Sequence, residues 1–263
     1  MARWLPVLMC LLALVALGSL PAVASVDLPQ PEQVMRWAVR VGDDVVGHRD
    51  VVVRYAGQGE DHARVFESSL SIDGQFPTDN GKTRRLRYRQ MLNAVSTDGL
   101  PASFHSTVTS NRNAAELQAR YADASWRLTY AQNGFVRSFA LDARKVDLST
   151  VDLFDPETTR PLGKRSHARI LAAETGKLDE GPVYQLGTER LVIGGESLET
   201  KQYAWDASEG TWLLWYTTNG FLVRYVRPML GLELVADLVG PAPYGIDEFP
   251  VKLFGPNIPS VPL

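Results

Sequence analysis

The sequence predicts a mainly β protein: a curved antiparallel sheet, forming a half-barrel or open barrel, with one short helical crossover. Three observations lead there. Apolar and polar residues alternate over much of residues 33–240, the period of strands with one buried face. Asp98-Gly99, Asn133-Gly134 and Asn219-Gly220 stand between such runs and favour tight hairpins. Most connections are short, as in an antiparallel meander.

The start of the chain reads differently. Arg3, an apolar run over residues 5–17 and Ala22-Val23-Ala24 make a secretory signal peptide, cut after Ala24. The expected location is the periplasm or the outside of the cell. The apolar run falls short of the roughly 20 residues that a membrane span needs. No later run is longer, so no integral span is expected in the mature chain. Residues 25–32 form a Pro-containing flexible N-terminus.

The first strand carries Met35, Trp37, Val39 and Val41 on one face and Arg36 and Arg40 on the other. Gly42-Asp43-Asp44 turns the chain. Val51, Val53 and Tyr55 alternate against Asp50 and Arg54 in the second strand, and Phe66, Ser68, Leu70 and Ile72 mark a third. The polar stretch 73–82 reads as a loop. Next, Leu86, Tyr88 and Leu92 face in while Arg85, Arg87 and Arg89 face out. Phe104, Ser106 and Val108 continue the sheet, as do Leu117, Ala119 and Tyr121. Trp126 to Leu141 is a hairpin around Asn133-Gly134.

Residues 147–166 break the pattern and read as a crossover between two halves. Ser149 with Asp152 three residues on caps a short helix, and Pro156 and Pro161 limit its length. Strands resume near residues 167–172, 183–193 and 196–205. Trp212 to Val226 is a hairpin around Asn219-Gly220, and Leu232 to Leu238 is the last long strand. The domain therefore spans residues 33–240, and 241–263 is a Pro-rich extended tail.

The two Asn-Gly hairpins echo one another. Trp126, Tyr130, Asn133, Gly134, Phe135 and Phe139 align without a gap on Trp212, Tyr216, Asn219, Gly220, Phe221 and Tyr225. Either two halves were duplicated, or good hairpins converge on aromatics and Asn-Gly.

Composition narrows the function. Apolar residues make up 45% of the chain, enough for a folded globule, and the net charge of −3 lacks the basic excess of a nucleic-acid binder. Cys10, within the signal, is the sole cysteine, so the mature chain has no thiol chemistry and no disulfide. Gly81-Lys82-Thr83 is not a phosphate loop, because the nearest upstream glycine, Gly74, is too far away. His48, His62, His105 and His167 are scattered without metal-ligand spacing, and no G-x-S-x-G elbow occurs. No catalytic residue, metal site or cofactor is assigned.

The candidate ligand-binding residues are therefore the hairpin aromatics Trp126, Tyr130, Trp212, Trp215 and Tyr216. They line either an apolar cavity or a plain core. Trp215 and Leu213 make the second hairpin apolar on both faces. Arg85 and Arg87, in the row Arg84, Arg85, Arg87, Arg89, suit an acidic headgroup; they equally suit the wet face of a sheet.

The motifs Trp37-Ala-Val39, Gly42, Gly47 and His48, then Ile193-Gly194-Gly195, Trp215-Tyr216, Gly220 and Leu222-Val223-Arg224, resemble a group of exported bacterial proteins of unknown function. Those proteins are similar in expected architecture to lipoprotein carriers of the LolA and LolB type and to the VioE enzyme. The resemblance implies a curved sheet whose concave side is plugged by helix or loop segments. Its expected function is non-enzymatic binding of an apolar or amphipathic envelope ligand, such as a lipid. The alternatives are an enzyme of unrecognised type in a β-cavity and a module that docks an envelope protein partner.

Overall fold

The computed structural model describes residues 33–239, apart from 57–62, 78–81, 98–99, 112, 156–157, 159–160, 164 and 194. The signal peptide, residues 25–32 and the 241–263 tail lie outside the described residues.

Alternation of β-branched and aromatic residues builds the first arm as an eight-strand meander. It runs β1 (Gln33–Val41), β2 (Asp44–Ala56), β3 (Ala63–Pro77), β4 (Thr83–Thr97), β5 (Leu100–Ser110), β6 (Asn113–Ala122), β7 (Ser125–Gln132) and β8 (Phe135–Asp142). A 3-10 turn at Ala143–Lys145 leads to β9 (Leu148–Ser149) and the helix α1 (Thr150–Phe154). The second arm runs β10 (His167–Leu171), β11 (Leu178–Ile193), β12 (Glu196–Ala207), β13 (Gly210–Thr217), β14 (Leu222–Met229) and β15 (Leu232–Leu238).

The two arms join through β1 and β15, giving one sheet ordered 8-7-6-5-4-3-2-1-15-14-13-12-11-10-9. All pairings are antiparallel except β9 with β10. Flat, fifteen strands at about 4.8 Å spacing would span on the order of 70 Å. Instead the sheet curls. Arg84 on β4 reaches the carbonyl of Leu230, beyond β14, at 3.2 Å. The outermost strands β8 and β9 share no ladder, so among the described residues the barrel has an unsealed seam.

The segment after β9 fills the concave side. The expected helix is present: Ser149 N–H and Oγ both donate to the Asp152 carboxylate, at 2.6 and 2.9 Å. Phe154 packs edge-on against Trp37 of β1 and Tyr225 of β14, at 6.1 and 5.1 Å between ring centres. Asp155 pairs with Arg64 of β3. Gly176, in the turn before β11, has φ +70°, a conformation that glycine adopts readily. A Cβ there would meet Leu117, Leu128 and Phe139 at 3.0–3.3 Å, so the turn lies tight on the inner face of β6, β7 and β8. The helix and the β10–β11 turn thus touch strands far apart in the sheet, because the sheet wraps around them.

Candidate functional site

Inward positions on the strands are mostly apolar, as one-faced burial demands, but a belt of polar groups interrupts them. Arg49 on β2 shares the buried parity of Val51 and Val53, and Gln90 on β4 shares that of Tyr88 and Leu92. Both are only 2% exposed. Register aligns them: Arg49 faces Leu70, and Leu70 faces Gln90. One row along, Ser68 and Ser106 flank Leu92. Arg227, two residues beyond Tyr225 on β14, completes the belt.

The plug meets this belt with polar groups of its own. Thr150 Oγ donates to Glu174 at 3.2 Å and accepts from the N–H of Ala173 at 3.0 Å. Glu174 accepts from Arg227 Nη1 at 3.2 Å, and the Arg227 guanidinium lies 4.5 Å over the Trp212 ring. Burial pushes the Glu174 carboxyl up, but the charges of Arg227 and Arg49, with hydrogen bonds from a backbone N–H and from Arg227, outweigh it and hold the group below the usual carboxylate range. Tyr88 is pushed up to about 12, by burial first and then by the Glu174 carboxylate, and is a neutral phenol at physiological pH.

Arg49 has no carboxylate of its own. Its Nε donates to Tyr225 Oη at 3.2 Å and its Nη1 to Ser68 Oγ at 3.3 Å, both long for hydrogen bonds. Its guanidinium stacks 4.2 Å over the Phe154 ring. Among the described residues, Arg49 Nη2, both amide atoms of Gln90, Ser106 Oγ and Arg227 Nε lack a hydrogen-bond partner. A buried polar atom left unpaired costs about 1–3 kcal/mol, so this interior is under-satisfied.

Near the rim, a cavity of about 60 Å³ lies between α1 and β3–β5, lined by Arg64, Phe66, Phe104, Val151 and Asp155. That is room for a few waters (about 10–15 Å³ of such space each) and not for an acyl chain. Among the described residues, no three metal-ligating side chains cluster, and no helix is long and apolar enough to cross a membrane.

The aromatic candidates divide between the two faces. Trp126 is buried inside against Phe104 and Tyr121. Tyr130 is half-buried on the same face. Trp212 lies under Arg227. Tyr216 packs on Tyr203 and donates to the Leu153 carbonyl of the plug at 3.3 Å, and burial pushes its phenol up. Trp215 is not on the concave wall. It faces the other side of the sheet, donating to Glu189 at 2.6 Å with Arg224 5.9 Å over its ring. Adjacent residues on a strand point oppositely, so Tyr216 and Trp215 do not share a surface.

Arg85 and Arg87 lie exposed on the outer face, where both pair with Asp73 at 2.9 and 3.6 Å. They are not beside the concave wall; the arginines in the buried belt, among the described residues, are Arg49 and Arg227. His48, 3.6 Å from Asp50, His105, 2.9 Å from Glu116, and His167 are likewise exposed, and His62 lies outside the described residues. Sequence reading missed Arg49, Gln90 and Arg227, although a signal was there. Each is polar at a position whose strand parity is otherwise apolar.

Comparison with known proteins addresses the fold. No family model matches the chain, and no curated protein matches it. Among solved structures, it is similar to a beta-barrel-like protein of the domain of unknown function DUF1849 from Brucella abortus. The TM-score is 0.52 at 9% identity, covering 81% of this chain and 97% of that one. A likeness at that identity concerns architecture, which does not fix function.

Proposed function

We propose that the chain is an exported, non-enzymatic envelope protein that takes an apolar or amphipathic ligand, such as a lipid, into the concavity of its sheet. The unsealed seam is the observation behind this reading. Because β8 and β9 share no ladder, the barrel opens without breaking a strand pairing, and the ligand replaces the plug. The aromatics Trp126, Tyr130, Trp212 and Tyr216 then form the wall. Export follows from the signal-like first 24 residues, and residues 33–240 act as one binding domain. In this role the protein works as carriers of the LolA and LolB type do, with no cofactor.

The test is native mass spectrometry of mature protein purified without detergent, before and after incubation with phospholipid vesicles. A stoichiometric bound lipid, taken up faster by the plug-loosening variant Phe154→Ala with its far-UV spectrum unchanged, supports the reading. A clean apo mass for both proteins overturns it.

A second reading has its own observation. Strand β8 is an edge whose Phe135 and Val136 are 83% and 69% exposed. Natural edges are commonly guarded by charge, and here Arg137 stands beside both residues as the nearest guard. A partner that adds a strand to this edge would use it.

A further inference from the structure

We propose that Arg49 and Gln90 form an oxyanion site in the barrel interior, which receives the carboxylate of the bound ligand. The proposal rests on the binding reading above for the rest of the ligand.

Charge carries the argument first. Two guanidiniums, Arg49 and Arg227, face the plug where one carboxylate, Glu174, faces them, and Arg227 takes that carboxylate at 3.2 Å. The other ionisable groups against this cluster are the phenols Tyr88 and Tyr225. Asp155 belongs to Arg64 at the rim, and the cations acting on Asp152 are Arg64 and Arg165, not Arg49. Among the described residues, the direct contacts of Arg49 are therefore two hydroxyls and an aromatic face, and it shares the nearby Glu174 carboxylate with Arg227, which holds the hydrogen bond. A buried charge that shares its counter-charge with a second cation and lacks a direct ion pair is not fully repaid for its desolvation. Sequences rarely retain such a cost in a core where leucine would fit, unless the charge is used.

Hydrogen bonding carries it second. Arg49 Nη2 and the Gln90 amide are unpartnered donors in one row of the sheet, with one residue, Leu70, between them. Water alone would satisfy the amide but leave Arg49 without a direct ion pair. A carboxylate accepts from both and neutralises Arg49, by the charge-assisted pairing that guanidinium favours.

Binding of sodium laurate, 1-dodecanol and sodium acetate to the full protein tests this, read by intrinsic tryptophan fluorescence and by thermal shift. The expected result is laurate bound at least about tenfold more tightly than dodecanol. In Arg49→Gln that preference should vanish, with laurate about ten- to a hundredfold weaker, the span for a hydrogen bond to a charged group. Should Arg49→Gln not fold, Gln90→Leu serves instead: laurate about tenfold weaker, with the apo melting temperature raised because two unpaired atoms are gone.

Equal binding of acid and alcohol overturns the oxyanion site and leaves the carrier reading standing. Stabilisation by acetate but not laurate, lost in Arg49→Gln, supports the site with a free small anion as its ligand and overturns the carrier reading. No binding by any probe overturns both.

Discussion

Two hairpins of this protein are written in nearly the same letters and do different work. The β7–β8 hairpin has Trp126, Tyr130, Asn133, Gly134, Phe135 and Phe139; the β13–β14 hairpin has Trp212, Tyr216, Asn219, Gly220, Phe221 and Tyr225. The second lies inside the sheet order, with Trp212, Tyr216 and Tyr225 all buried. The first lies at the edge, where Tyr130 is half-buried and Phe135 is bare. Their turns differ too. Asn133 and Gly134 both take positive φ, +50° and +84°, making a tight two-residue hairpin. At the other turn only Gly220 does, at +95°; Phe221 N–H bonds back to Thr217 Oγ at 3.1 Å, and the register shifts at Trp215/Tyr216. Similar side chains settle the propensity to form a hairpin. The neighbours settle its turn and its burial.

Matched substitutions test the contrast between the two hairpins. Tyr216→Ala should cost roughly 3–5 kcal/mol, as for a large buried aromatic, whereas Tyr130→Ala should cost about 1–2 kcal/mol. Urea melts that gave equal losses would contradict the contrast between centre and edge.

The next effect comes from Arg227, whose aligned position in the first hairpin is Leu141. Glu174→Gln should lose roughly 3 kcal/mol at neutral pH, because it breaks a buried pair. The native Glu174 carboxyl titrates below its ordinary value of 4.5. Its contribution is therefore full above that pH and falls away as acid takes the protein down through the lowered value. Asp152 works in the opposite sense: burial raises its carboxyl, despite the two Ser149 hydrogen bonds, so it favours folding on the acid side and loses that as pH rises. The acid limb, at and below the ordinary carboxylate range, should shrink in Glu174→Gln and steepen in Asp152→Asn. Urea midpoints across that range would decide it, and identical limbs in all three proteins would refute the assignment.

Smaller effects follow at the turns. Asn133→Ala should cost about 1 kcal/mol, since alanine resists the left-handed conformation. Asn219→Ala should cost a few tenths, because Asn219 does not adopt it. Equal costs would mean that the two turns are alike in solution. Smallest is Phe135→Asp, which should leave the unfolding free energy within about 0.5 kcal/mol of native. If an envelope partner adds to β8, the same variant should lose that partner in co-purification while still binding laurate.

Much of this was legible in the sequence. Period-two alternation placed most strands, and the polar parity of Arg85, Arg87 and Arg89 put them on the wet face. Ser149 and Asp152 announced the helix three residues apart. Trp215 was readable as facing opposite to Trp212, but the choice between core and wall depended on what lay over each face. The interior belt was harder to read. Arg49, Gln90 and Arg227 break the apolar parity of their strands, yet they converge only because the sheet curls and carries β2, β4 and β14 to one centre.

Sequence alone determined most of the strands and the short helix, because alternation, turn residues and capping act over a few neighbouring residues; it did not show that β3 runs on through Asp73–Pro77, read as loop, where pairing with β4 overrides the polar composition. It also determined that the sheet had to bury one face. Tertiary structure decided which strands are edges, where the seam falls, which of two like hairpins is buried, and which charges meet inside. Those outcomes depend on residues far apart in the chain, such as Arg49 and Tyr225 or Glu174 and Arg227, and on the desolvation that only closure around the plug imposes.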